Sequence, residues 1–257
     1  MRYLVSALMG LAAGSFSNVC VIRLPQDQSV WFPRSHCPKC GRTLQYRHNI
    51  PIVSFAALKG RCYDCRAPIA WQYPLIEAFM ACFFIFHAWY FAGSRTHMAL
   101  ADVLSFYLLT ISIIDYRHRI IPDELSLSML AIGLMVSFGN PYLPGPPWIK
   151  FFQSAAAALS GGLLALLLAY AGEKIFTKEA LGGGDIKLIA ASAAVFGWAG
   201  IAGPLFLGSL SGGLMALILL ILKKKKLGET LPFGPFLSLG IYFTCFFPGW
   251  WVSLFHL

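Results

Sequence analysis

Leu181–Ala191 reads LGGGDIKLIAA: three consecutive glycines, one aspartate, then an apolar run. An aspartate in or at the edge of a membrane helix is costly and marks a functional position by default. The rest of the chain makes a bilayer its natural solvent. Of 257 residues 58% are hydrophobic and only 12% charged, with a mean hydropathy of +0.67, against roughly 25% charged residues in soluble domains. Stretches that approach or pass the ~20 apolar residues needed to cross hydrocarbon occur at Tyr3–Ile22, Leu75–Ala92, Met98–Ile114, Leu125–Leu143, Trp148–Ala171, Ile186–Gly200, Ile201–Leu222 and Leu231–Leu257. The pattern predicts an all-α polytopic membrane protein with about eight transmembrane helices. The fourth span is interrupted near its end by Gly139, Asn140 and Pro141, and the boundary between the sixth and seventh is marked only by glycines and Pro204.

The placement of charge says more than its sum. Eight of the twenty Lys and Arg fall between Arg23 and Arg66, in the one long polar segment; others gather at Arg117/Arg119, Lys174/Lys178/Lys187 and Lys223 to Lys226. A net charge of +9 is compatible with nucleic-acid binding. The positive-inside rule, by which Lys and Arg mark cytoplasmic loops, accounts better for the clustering, so no nucleic-acid partner is expected. With 23–73 placed in the cytoplasm and eight spans alternating from it, the amino terminus lies outside. Only Arg2, Arg95 and Lys150 are then outside, leaving 17 of 20 basic residues inside; seven or nine spans would strand a cluster on the wrong face. The first span has only Arg2 before it and Arg23 after it, which fits an uncleaved helix rather than a secretory signal. The expected organisation is a transmembrane helix at 1–22, a cytoplasmic insert at 23–73 and a membrane domain at 74–257.

The insert contains SHCPKCGRTLQY and GRCYDCRAPIAW. Cys37, Cys40, Cys62 and Cys65 form two C-x-x-C pairs with 21 residues between them. The two halves repeat: Leu44 and Ile69 lie four past the second cysteine of their pair, Tyr46 and Trp71 six past. Two such knuckles closing on one tetrahedral four-thiolate site predict a zinc-ribbon-like insert with a structural Zn2+. A redox pair or disulfides are the competing reading, disfavoured by a cytoplasmic location. Cys20, Cys82 and Cys245 lie in apolar spans and read as small buried residues.

Asp115 ends the third span in SIIDYRHRIIPDELS and Asp185 opens the sixth. The charge-derived topology puts both at the cytoplasmic face, at similar depth. Two neighbouring carboxylates do not both ionise easily and share a proton, so one can activate water while the other protonates a leaving group. Gly182, Gly183 and Gly184 would let a substrate backbone approach Asp185. Plainer readings exist: Asp185 as a helix N-cap, Asp115 as the partner of Arg117 or Arg119. Asp123, after Pro122, reads as an N-cap for the fourth span. Asp102 lies toward the outer end of its span without a visible partner, and His118 reads as an interfacial loop residue. Glu77 either lines the same cavity or complements the positive end of its own helix. Lys187 joins Gly182, Gly184, Asp123 and Glu77 as supporting candidates. Helix dipoles favour an anion at an N-terminus and oppose one at a C-terminus, by about 0.3–1 kcal/mol. That makes Asp185 the expected base and Asp115 the expected acid, with Arg117 and Arg119 acting the other way on Asp115.

GSFSNVCVIRLP (Gly14–Pro25), the paired C-x-x-C insert with HNIPIVSF and WQYPLIEAF, DYRHRIIPD, GGGDIK and LPFGPFLSLG occur in the order found in type IV prepilin peptidases, and the chain resembles that family from about Gly14 to Gly240. G-x-G-D alone is shared with presenilin-like proteases; its combination with D-x6-P-D and four paired cysteines is specific. The resemblance implies a bifunctional enzyme of the bacterial inner membrane. It would cut the short basic leader from prepilins or pseudopilins after a glycine at the cytoplasmic face, with Asp115 and Asp185 as the catalytic pair. It would also N-methylate the new amino terminus with S-adenosylmethionine, an activity linked to the insert. The expected partners are those substrates and membrane lipid. The alternative from another class is a cation- or proton-coupled transporter using the same two aspartates, although transporters place such groups nearer the bilayer midplane.

Overall fold

In the computed structural model, which describes residues 1–176, 181–224 and 230–249, the secondary structure is helical apart from two isolated β-bridges. The helices are α1 (Arg2–Arg23), α2 (Val53–Ala57), α3 (Gln72–Tyr90), α4 (Arg95–His118), α5 (Asp123–Val136), α6 (Pro147–Phe176), α7 (Gly183–Phe196), α8 (Ala199–Ile221) and α9 (Gly234–Phe246). Five of these, α1, α3, α4, α6 and α8, are long and apolar enough to cross a membrane, and the chain is a multi-pass membrane protein. Helices α5, α7 and α9 fall in the expected fourth, sixth and eighth spans but have 14, 14 and 13 residues, short of the roughly 17–25 that a span needs. The end of the expected eighth span, 250–257, and Lys178, Lys225 and Lys226 lie outside the described residues. The break between α7 and α8 comes at Gly197, whose φ of +63° suits glycine, and Pro204 lies inside α8 rather than at its border.

The chain divides into two compact units, Met1–Phe106 and Tyr107–Leu257. In the first, α1 packs on α3. A Cβ on Gly10 or Gly14 would lie 2.6 Å from the Cα of Ala81 or Glu77; the small-x-x-x-small spacing is what lets the two backbones meet, as membrane helices require. Asn18 ties the same seam, its Nδ2 donating to the carbonyls of Gly14 and Tyr73 at 3.2 and 3.1 Å. Asp102, which shows no partner in the sequence, is buried against buried His87, with Nδ1 and Oδ1 2.8 Å apart. The local pattern could not reveal this pair because its members lie 15 residues apart on different helices.

In the second unit α7 is the central helix, contacted by α5, α6, α8 and α9, and its residues from Leu188 to Phe196 are buried apart from Ala190. Two of its last carbonyls, at the end where helical N–H groups run out, are satisfied by side chains from elsewhere. Asn140 Nδ2 donates to Val195 O at 2.7 Å and Ser154 Oγ to Ala194 O at 2.6 Å. The polar break in the expected fourth span is therefore a capping loop for a neighbouring helix, and α5 ends at Val136 to form it. Asn140→Leu would leave a buried carbonyl unpaired, a cost of about 1–3 kcal/mol. Thermal unfolding in detergent should show a lowered midpoint; no change would remove this role from Asn140.

Candidate active site and metal centre

Asp115 and Asp185 come together in the second unit. Asp115 ends α4's apolar run and is buried. Asp185 stands in the first turn of α7, half-buried, close enough for the Asp115 carboxylate to act on it electrostatically. Each is held by a backbone N–H at the start of a helix. Asp185 is not the N-cap of α7, a position that Gly182 takes; it is the third residue of the helix, and its Oδ2 reaches back to accept from Gly182 N at 3.2 Å. Asp115 Oδ2 accepts from Gly234 N at 2.8 Å. Pro235 has no N–H and the N–H groups of Phe236 and Leu237 turn back to Phe233 O, which leaves Gly234 as the donor of α9's first turn that meets Asp115. Arg119, one helical turn on, adds an attractive charge to Asp115.

The supporting candidates take definite places. Lys187 Nζ pairs with Asp123 Oδ1 at 2.5 Å, bridging the first turns of α7 and α5. Asp123 is not the N-cap: Pro122 takes that position, and no side chain caps the helix. The triple glycine divides in role. A Cβ on Gly184 would lie 2.7 Å from Ile121 Cβ, so this glycine admits a side chain of the chain itself. Gly183 has open space, and Gly182 faces Asp185. Glu77 belongs to the first unit, where it is buried and accepts from Ile52 N at 2.7 Å. Ile52 has φ +59° and ψ −48° and sits inside a Val53 N to Pro51 O bond of 2.6 Å, the strained form of the γ-turn. Glu77 thus anchors a strained turn of the insert to α3. Gly234 was the site residue that sequence reasoning missed; its signal was the Gly-Pro pair at the head of an apolar run.

The insert's two halves fold alike. Cys37 N bonds Arg42 O and Leu44 N bonds Ser35 O; Cys62 N bonds Ala67 O and Ile69 N bonds Gly60 O. Each half carries one β-bridge, His36 with Thr43 and Arg61 with Pro68. The four sulfurs converge within 4.8 Å of one another, with Cys37 and Cys65 Sγ 3.8 Å apart. Tetrahedral zinc with Zn–S of about 2.3 Å has sulfur–sulfur edges of about 3.8 Å, so the set fits such an ion. The backbone N–H of Cys40 points at the Cys37 sulfur and, with that of Lys39, brings the thiol down to about 7; against the pull of the Ala67 N–H, burial and hydrogen bonds with the other three thiols push Cys65 up to about 11. Cys20 and Cys245 are buried as expected, whereas Cys82 is exposed on α3.

Residues 8–91 match the model of the bacterial peptidase A24 N-terminal domain, and residues 102–217 that of the type IV leader peptidase family. A protein of Legionella pneumophila named prepilin leader peptidase/N-methyltransferase is 31% identical over 92% of this chain and 88% of its own length. The chain belongs to the type IV leader peptidase family. Relatives of the same name in Pseudomonas aeruginosa and Myxococcus xanthus are each 34% identical. The first match covers 92% of this chain and 87% of the relative; for the second, the figures are 83% and 62%. No solved structure matches the chain. Membership makes the protein a peptidase, and none of these matches favours the transporter alternative.

Proposed function

We propose that the chain removes the basic leader of type IV prepilins or pseudopilins after a glycine at the cytoplasmic face of the inner membrane. The observation that carries this reading is the meeting of Asp115 and Asp185 in a chain of this family. The topology proposed has eight membrane-embedded helices, the amino terminus outside and the insert inside. The organisation proposed is a helix at 1–22, an insert at 23–73 and a protease domain at 74–257.

Asp115 is the base and Asp185 the acid. The dipole of its own helix alone would give each aspartate the opposite role. Helix α9 tips the balance the other way: its first N–H bonds Asp115 at 2.8 Å, closer than the 3.2 Å bond of Gly182 N to Asp185, a charge-assisted bond of this kind favours the ionised carboxylate, and the Arg119 charge acts in the same sense. Asp115 takes a proton from a water molecule as the water oxygen attacks the scissile carbonyl carbon. Asp185 gives its proton to the amide nitrogen as the C–N bond breaks. Gly182 and Gly183 bear no side chain beside this point, and the Lys187–Asp123 pair braces the α5 and α7 ends around it.

Cys37, Cys40, Cys62 and Cys65 hold Zn2+ as a closed structural site. The purified enzyme should carry about one zinc per chain, and Cys37→Ser should lose most of it by elemental analysis. Full metal content in that variant would refute the four-thiolate set. S-adenosylmethionine supplies the methyl group of the second activity. The residues suited to hold it are Glu77, a buried carboxylate for the donor's cationic end, and Asn18, whose buried Oδ1 has no partner.

The test is cleavage of a prepilin in membranes, with mass spectrometry of the new amino terminus with and without S-adenosylmethionine. Wild type should yield a product lacking the leader and, with the methyl donor, heavier by one methyl group. Asn18→Leu should cut normally while methylation falls at least several-fold. A wild type that leaves every prepilin and pseudopilin intact would end the reading.

A further inference from the structure

Where α1 ends, the chain doubles back. Asp27 takes a left-handed φ of +53°, Gln28 N bonds Arg23 O, and the segment from Gln28 to Arg34 closes around the Arg23 side chain. Arg23 is only 7% exposed; its guanidinium donates to Ser29 O at 3.0 Å and Arg34 O at 3.4 Å. Ser29 Oγ accepts from Trp31 N and Phe32 N at 3.2 and 3.3 Å. A loop with several of its polar groups occupied in this way holds out two aromatic side chains, Trp31 at 74% and Phe32 at 77% exposure.

Their depth follows from one contact. The Trp31 ring lies 6.0 Å from the ring of Phe16, which itself stacks on Phe106 at 5.7 Å. Phe16 precedes Arg23 by seven residues, about 10 Å back along the helix at ~1.5 Å per residue. Trp31 therefore stands beside the apolar flank of a membrane-crossing helix, below the end at which that helix leaves the bilayer. Backbone can enter this zone only if its polar groups find partners within the protein. The Arg23 guanidinium and Ser29 hydroxyl supply several of them. Apart from Arg23, the insert that begins here carries seven Lys and Arg against two acidic residues up to 73, complementary to anionic headgroups, and indole is the side chain favoured at that depth.

We propose that residues 28–34 form a re-entrant wedge, with Trp31 and Phe32 seated among the lipids of an anionic bilayer surface and Arg23 as its internal strut. The wedge fixes the insert against the membrane. It depends on the chain's membrane insertion, not on which compartment the insert faces or on the peptidase reading.

The test uses the full-length protein in phosphatidylglycerol-rich nanodiscs, labelled with 5-fluorotryptophan. The Trp31 fluorine resonance is assigned by its loss in Trp31→Phe. The expected result is several-fold faster relaxation from lipid spin-labelled near the top of the acyl chain, and little effect from a water-confined gadolinium chelate. Arg23→Gln should reverse this, exposing Trp31 to the chelate while the remaining resonances keep their positions. Relaxation of wild-type Trp31 by the chelate alone would overturn the proposal. Protection from both agents would overturn it too, because protein and not lipid would then cover the ring.

Discussion

Asp115→Ala and Asp185→Ala should each lower kcat/KM for prepilin cleavage by at least the roughly 10²–10⁴-fold that a general acid or base contributes, with the helical content of the protein unchanged. The asparagine variants separate the roles. Asparagine at 185 keeps an oxygen to accept the Gly182 N–H and an N–H to offer a substrate carbonyl, so part of the electrostatic work survives. Asparagine at 115 cannot take a proton from water. Asp115→Asn should therefore be the less active of the two, below Asp185→Asn in single-turnover cleavage at saturating substrate. The opposite order would return the roles to those read from the helix dipoles of α4 and α7 alone. Equal and full activity in both variants would remove the aspartates from the chemistry altogether.

The site was legible in sequence where its signals were local. The paired cysteines repeat at fixed offsets, and the hydrogen bonds of the two knuckles follow that repeat residue for residue, from Cys37–Arg42 to Cys62–Ala67. Asp115 and Asp185 stood out because a carboxylate among apolar residues is costly, and their common location followed from counting basic loops. What sequence could not supply was any partner brought from elsewhere in the chain. Gly234 lies 119 residues beyond Asp115, and Asn140 lies 55 before the carbonyl it caps. Asn140 looked like a break in its own segment when its use was to finish another helix, and Gly234 carried no signal for a carboxylate so far back in the chain. The eight-span count shows a related limit. Hydropathy marks the apolar stretch, but it does not show that α7, with most of its surface covered by protein, needs only 14 residues. Glu77 shows the same limit: the group it accepts from is the Ile52 N–H, in a strained turn 25 residues before it.

Gly234→Ala should cut cleavage by about 10²-fold, the penalty that a misplacement of about 1 Å can impose on a catalytic group. A Cβ at this position would lie 2.8 Å from Asp115 Oδ2 and 3.1 Å from its Cβ and Cγ. Contacts this short force the carboxylate or the start of α9 to move, and either movement weakens the 2.8 Å bond that holds the base. Because the residue positions Asp115 and does not touch substrate, the loss should fall on kcat with KM nearly unchanged. Gly213→Ala is the matched control: it is a mid-helix glycine of α8 with nothing within 4 Å of the added carbon, so cleavage should stay at the wild-type level. A Gly234→Ala enzyme that unfolds at a much lower temperature while keeping its kcat would make this glycine a packing residue. A kcat loss without that shift places the head of α9 in the catalytic apparatus, as the part that keeps Asp115 ionised and aimed at water.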